Sequence, residues 1–339
     1  MNIREAIDKL VNRVNLSEAD MIDVMNQIMT GEATPLQVAS FLTALRMKGE
    51  TVEEITGAAR VMREKAHRVN VGSKTVLDTC GTGGDQKGTF NISTTVAFVL
   101  AGAGVNVAKH GNRSVSSHSG SADVLGALGV KIDAPRERVE QCIAEIGIGF
   151  LFAPLLHEAM KYAVQPRRDI GIRTIFNLLG PLTNPAMATH QLIGIYSGEL
   201  VGMIARVLKN LGSVCAMVVH GLEGLDEISL CGPTQVAELR DGQVKQYLIE
   251  PEQFGLKRCR LEDLQGGNPE QSAAMVRAVL DGEPGPRRDV VLLNGGAALY
   301  ISGSTSNIEE GIRLAAQSID SGKARQKLEQ LIEMTNAAA

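Results

Sequence analysis

Apolar residues recur at helical spacing in the first part of the chain and come in short unbroken runs further on, so the architecture changes along its length. Val38, Phe41, Leu42 and Leu45 fall on one stripe of a helix that starts with Pro35 and stops at Gly49, after the basic turn Arg46–Lys48. Its start has a hydroxyl N-cap followed three positions later by a residue able to cap back, Thr34 with Gln37, and Ser17 with Asp20 and Thr51 with Glu54 repeat the signature. These signals predict a small helical domain over residues 1–72.

From Lys74 onward, β-rich runs alternate with helical segments, which predicts an α/β domain over 73–339 with crossover helices. Thr75–Asp78, Val105–Ala108, Val130–Ile132, Gln191–Ile195 and Val214–Val219 read as strands. Asp241-Gly242, flanked by VAELR and QVKQYLI, reads as an antiparallel hairpin, so the central sheet is expected to be mixed and mostly parallel. Residues 269–281, 287–302 and 305–334 read as helices. The stretch 161–187, rich in Arg, Pro and Asn, interrupts the alternation and reads as a return toward the helical domain. That return places a cleft between the two domains, where ligand sites commonly lie.

Composition narrows the function. With 339 residues, 44% apolar and 21% charged, the chain is an ordinary globular protein long enough for two domains. A net charge of −4, only 3% aromatics and no Trp argue against a nucleic-acid binder that works through basic surface and base stacking. Five scattered cysteines, Cys80, Cys142, Cys215, Cys231 and Cys259, form no CxxC pair and point to a reducing cytoplasm. MNIREAIDKL lacks an apolar signal core, and Val96–Ala108 is too short to span a bilayer, so no membrane segment is expected.

Two segments concentrate candidate chemistry. Asp78-Thr79-Cys80-Gly81-Thr82-Gly83-Gly84-Asp85 ends a strand, and Thr89-Phe90-Asn91-Ile92-Ser93-Thr94 opens an apolar helix. Bare amides and a helix N-terminus there suit a phosphate group; a glycine-rich surface turn is the weaker alternative on the glycines alone, and the NIST run that follows weakens it further. The pattern is neither GxxxxGK[ST] nor GxGxxG. Lys109-His110-Gly111-Asn112-Arg113-Ser114-Val115-Ser116-Ser117 follows a second strand and gathers cations, an imidazole and hydroxyls able to grip a polyanion. A solvated loop with Ser119 as an ordinary cap is the alternative, and it leaves Lys109, Asn112 and Arg113 unexplained.

GTGGD, TFNIST, KHGNRS with SGSADVL, NLLGPLTNP and GLDE, in that order, resemble the anthranilate phosphoribosyltransferase family, from ALRMKGET at residue 44 to at least Glu227. The resemblance implies that phosphoribose passes from phosphoribosyl pyrophosphate (PRPP) to the amine of anthranilate, giving N-(5-phosphoribosyl)anthranilate and pyrophosphate in tryptophan biosynthesis. For PRPP it implies Gly81, Gly84, Asp85, Thr89, Asn91, Ile92, Ser93, Thr94, the run from Lys109 through Ser117, and Ser121. For anthranilate it implies Gly81, His110, Asn112, His157 and Arg167, the last receiving the carboxylate. For Mg²⁺ it implies Ser93, Asp226 and Glu227, and for assembly a homodimer.

Without the resemblance, Asp226-Glu227 reads equally as a solvated strand end, His157 as a cap or core residue, and Arg168 as an exposed charge. One position departs from the family: Gln86 stands where glycine is common, followed by Lys87. The expected mechanism is electrostatic, because an aromatic amine is already a nucleophile and no Ser-His-Asp or Cys-His set is evident. A pyrimidine nucleoside phosphorylase and a non-catalytic nucleic-acid-binding relative are the rival readings. The KHGNRS loop and the Asp226-Glu227 pair disfavour the first, and the net negative charge disfavours the second.

Overall fold

Four helices open the chain: α1 (Ile3–Val11), α2 (Glu18–Thr30), α3 (Pro35–Lys48) and α4 (Val52–Lys65). In the computed structural model, which describes residues 1–72, 75–114 and 119–337, the three expected caps are in place and each closes in both directions. A fourth, Asn2 with Glu5, starts α1 by the same chemistry. The Val38, Phe41, Leu42 and Leu45 stripe is buried, with the apolar side chains of α2 and α4 in the same core.

The remaining elements are β1 (Leu77–Gly81), α5 (Ile92–Gly102), β2 (Val107–Gly111), α6 (Ser121–Leu128), α7 (Arg136–Ile146), β3 (Ile148–Phe152), α8 (Ala153–Leu156), α9 (Lys161–Ile170), α10 (Phe176–Leu182), β4 (His190–Gly194), α11 (Gly198–Asn210), β5 (Cys215–Gly221), β6 (Thr234–Arg240), β7 (Gln243–Ile249), α12 (Pro269–Leu280), α13 (Pro286–Ile301), α14 (Ile308–Asp320) and α15 (Lys323–Asn336). The strands form one sheet in the order β3-β2-β1-β4-β5-β6-β7. β1 to β5 run parallel, and β6 and β7 add an antiparallel hairpin. The hairpin turns at Asp241 and Gly242, both with positive φ, as a two-residue turn matched to strand twist requires.

Alternate residues of the strands feed two cores, as a period of two dictates. Met217 and Val219 of β5 face α5 and α12 to α15, whereas Ala216 and Val218 face α11 and, through it, the helical bundle. α9 packs on α3 and α2, and α10 packs on α4, so the 161–187 stretch lies against the bundle.

One expected strand needs correction, one strand was not expected, and one stretch expected to be helical is helical in two parts. Val130–Ile132 is not a strand: α6 ends at left-handed Gly129, and the Val130 amide is used in that closure, donating to the Leu125 carbonyl at 3.0 Å. The sheet edge is instead formed by Ile148–Phe152, a run not read as a strand. Residues 305–334 contain two helices, broken at Gly322, whose φ is +75°.

Candidate active site

β1, β2, β4 and β5 each end on a glycine, Gly81, Gly111, Gly194 and Gly221, along one edge of the sheet. The strand order reverses between β1 and β4, and open α/β sheets form a ligand crevice beyond the strand ends at such a point. The 222–227 loop lies directly on this edge. A Cβ at Gly194 would fall onto the Asp226 carbonyl, and one at Gly81 would stand 2.6 Å from Asp226 Oδ2. Side chains are excluded from both strand ends so that the carboxylate loop can cover them.

The 82–90 segment is held against the same loop. The Thr82 amide donates to the Gly194 carbonyl at 2.9 Å and the Gly83 amide to Asp226 Oδ2 at 2.9 Å. Further along, Gln265 donates to the Lys87 carbonyl, and Thr89 forms a β-bridge with Gln265. Asn91 then opens α5, donating to the Ser119 carbonyl, and the Ser93 amide in the first turn donates to Glu227 Oε1 at 3.2 Å. Thr94 is buried, and the Ile92 side chain belongs to the apolar core.

Charge is concentrated behind this surface. Lys109, nearly fully buried, donates to the Thr79 carbonyl at 2.6 Å and to Ser93 Oγ at 3.3 Å. Burial pulls its ammonium below the ordinary range, with Asp78 opposing. Burial and then the neighbouring Asp85 carboxylate push Asp226 above the carboxylate range, and burial and then Asp226 do the same to Glu227. Among the described residues, buried side-chain atoms lacking a hydrogen-bond partner gather here, including Asp78 Oδ2, Asp85 Oδ2, Asn91 Oδ1, Ser119 Oγ, His110 Nε2 and His157 Nε2. Buried polar atoms are seldom left so, and their clustering marks a surface shaped for polar ligands.

The second loop is tied down by Asp123, which accepts from the Ser114 and Gly120 amides and pairs with Arg113 at 3.0 Å. The Asn112 carbonyl accepts from Ser121 Oγ, and Ser121 stands where a Cβ on Gly111 would go. Val115, Ser116 and Ser117 lie outside the described residues. His110 donates from Nδ1 to the Gly180 carbonyl at 3.1 Å, and its ring lies 5.1 Å from that of His157. Burial pushes the His110 imidazole down to about 3 and that of His157 to about 4, so both are neutral at pH 7. Arg167, half-buried in the last turn of α9, lies over the Phe176 ring at 5.2 Å, and Arg168 is exposed.

Sequence reading missed three side chains beside these. Asp78 accepts from the His110 amide at 3.1 Å and links the ends of β1 and β2. Asn294 of α13 bonds both the amide and the carbonyl of Ile228, the residue after the carboxylate pair. Arg173 donates to the Gly84 carbonyl. Only Asp78, inside the first motif, carried any signal along the chain.

Residues 73–325 match the a/b domain of the glycosyl transferase family, and residues 4–66 match its helical bundle domain. The chain is 58% identical to anthranilate phosphoribosyltransferase of Syntrophotalea carbinolica, covering 98% of this chain and 99% of that protein. It is 54% identical to the Acetivibrio thermocellus protein of the same name, over 99% and 97%. Among solved structures it is similar to anthranilate phosphoribosyltransferase from Thermus thermophilus, with a TM-score of 0.93 and 46% identity over 98% of this chain and 99% of that one. The Saccharomyces cerevisiae protein in complex with PRPP and Mg superposes with a TM-score of 0.91 and 31% identity, over 99% and 98%. The same yeast protein in complex with 4-fluoroanthranilate gives a TM-score of 0.89 and 30% identity, over 99% and 98%.

Proposed function

Because the chain belongs to the anthranilate phosphoribosyltransferase family, we propose that the surface at the head of its sheet transfers phosphoribose from PRPP to anthranilate, as a step of tryptophan biosynthesis. The nitrogen–C1 bond forms as the C1–oxygen bond to pyrophosphate breaks, and the amine proton leaves to solvent. One observation carries the assignment: Asp226 and Glu227 bond the Gly83 and Ser93 amides, joining both halves of the donor motif to one carboxylate pair.

Charge building on the leaving pyrophosphate is met by the amides of Gly81, Gly84, Asp85 and the α5 start, by Thr89, Asn91, Ser93 and Thr94, and by Lys109. His110, Gly111, Asn112, Arg113, Ser114 and Ser121 face the rest of the donor in this reading, and Val115, Ser116 and Ser117 keep the donor role that the family resemblance gives them. A hard divalent cation fits this end, because Asp226, Glu227 and Asp85 bring together negative charge that Lys109 offsets only in part. Asp226, Glu227 and the Ser93 hydroxyl would hold Mg²⁺, which supplies further neutralisation of pyrophosphate when bound. The yeast relative's complex with PRPP and Mg supports this reading.

For the acceptor, His110 and His157 offer neutral aromatic walls, Asn112 and Gly81 border the amine, and the Arg167 fork takes the carboxylate. Arg167→Ala is expected to raise the KM for anthranilate about tenfold or more, leaving the KM for PRPP unchanged. An equal rise in both would refute the role. Mixing the protein with PRPP, Mg²⁺ and anthranilate should extinguish anthranilate fluorescence, and a persistent signal would overturn the reaction.

A homodimer is supported by exposed Val11, Val14, Leu36 and Met47 on and beside α1 and α3. Sedimentation should give a dimer that Met47→Glu weakens. Cytoplasmic location is proposed from the free cysteines, and no helix among the described residues is long and apolar enough to cross a membrane.

A further inference from the structure

Arg173 lies in the turn between α9 and α10 and takes no part in the roles above. Its guanidinium stacks on the Tyr196 ring at 4.2 Å, and Nη2 donates to the carbonyl of Gly84. The flanks of the donor loop have other anchors: Thr82 on Gly194 and Tyr196, Gly83 on Asp226, and Lys87 on Gln265. Its tip, from Gly84 to Gln86, includes left-handed backbone, with φ of +73° at Gly84 and +58° at Gln86. Across a trans peptide, the carbonyl of one residue and the amide of the next point in opposite directions. A donor that grips the Gly84 carbonyl therefore also aims the Asp85 amide, on the side away from Arg173.

We propose that Arg173 is a positioning residue for the sugar donor, gripping the Gly84 carbonyl so that the Asp85 amide is presented to the pyrophosphate of PRPP. This rests on the donor reading given above. The grip needs a planar side chain, because stacking on Tyr196 fixes the plane in which the guanidinium donates. Lysine keeps the charge and a donor but loses that plane. The segment carrying Arg173 also carries Arg167, so one stretch of chain sets the acceptor's carboxylate partner and the donor's amide partner.

Kinetics and calorimetry test the proposal on the full-length protein. Arg173→Met is expected to raise the KM for PRPP about tenfold, the scale of one lost charged hydrogen bond, with the KM for anthranilate and the thermal midpoint unchanged. Arg173→Lys should fall between wild type and Arg173→Met. Titration with PRPP and Mg²⁺ in the absence of anthranilate should show the same loss of donor affinity. Unchanged PRPP affinity in both variants, or an equal rise in both KM values, would overturn the proposal. If Arg173→Met fails to fold, Arg173→Lys and Tyr196→Leu carry the same comparison. A wild-type protein without turnover would strike the reaction assigned above, while the calorimetric arm still decides the role of Arg173.

Discussion

A lysine meets carboxylates inside the helical bundle and again at the head of the sheet, and the two groups are built to opposite plans. In the bundle, Lys48 Nζ donates to Asn15 Oδ1 at 3.0 Å, the Gly49 carbonyl at 2.6 Å and Glu54 Oε2 at 2.9 Å. Glu54 also accepts from the Leu16 and Thr51 amides at 2.9 and 2.8 Å. Every charge there is answered within the chain. At the sheet head, Lys109 turns to a carbonyl and a hydroxyl, while Asp226 and Glu227 receive one amide each and lie against each other and Asp85. A closed network fixes a fold, and an open one keeps its field for something that arrives later.

Substitutions in the two groups should therefore separate activity from stability. The largest effect is expected from Asp226→Asn with Glu227→Gln: kcat/KM falls about a thousandfold or more, as loss of a metal-assisted charge clamp implies. The thermal midpoint should hold or rise, because two neighbouring like charges are removed. A marked fall in midpoint would dissolve the contrast. Next, Glu54→Ala leaves Lys48 unpaired inside the bundle and should cost about 3–5 kcal/mol in urea denaturation, with the folded fraction keeping its turnover.

Smaller still is the acid response. His110 and His157 have folded values near 3 and 4, below the ordinary 6.5, so as pH falls the unfolded chain takes up protons first. Their contribution is complete above about pH 6.5 and declines below it, on the order of 1–2 kcal/mol each by pH 5. Unfolding curves from pH 7 to 5 should show this slope, and His157→Gln should flatten it; an unaltered slope would remove His157 as a cause. The smallest change is expected from Gln86→Gly, which relieves a left-handed residue at φ +58° but gives the unfolded chain more freedom. A net gain under about 1 kcal/mol follows, and a loss would mean that the Gln86 side chain holds the loop.

What the chain declares along its length is what depends on near neighbours. Thr34 with Gln37 and Asp241 with Gly242 each specify a local geometry, and both were legible before any fold was known. Ile148–Phe152 was not, because four apolar residues and a glycine just past the end of a helix carry no alternation to separate strand from helix. Val130–Ile132 misled because β-branched Val130 serves a helix closure. In the candidate site, the donor motif and the carboxylate pair were visible as clusters. Arg173 and Asn294 were not, since each acts on a main-chain atom far away in sequence.

The glycine ends of β1, β2, β4 and β5 carry a lesson for anyone redesigning this protein. Where a binding surface is written in side chains, substitution can retune it piece by piece; along this rim it is written in peptide groups, and a methyl group at Gly194 would collide with the Asp226 main chain. Efforts to widen the range of accepted aromatic acids should start from α9 and His157, which lie outside the strands.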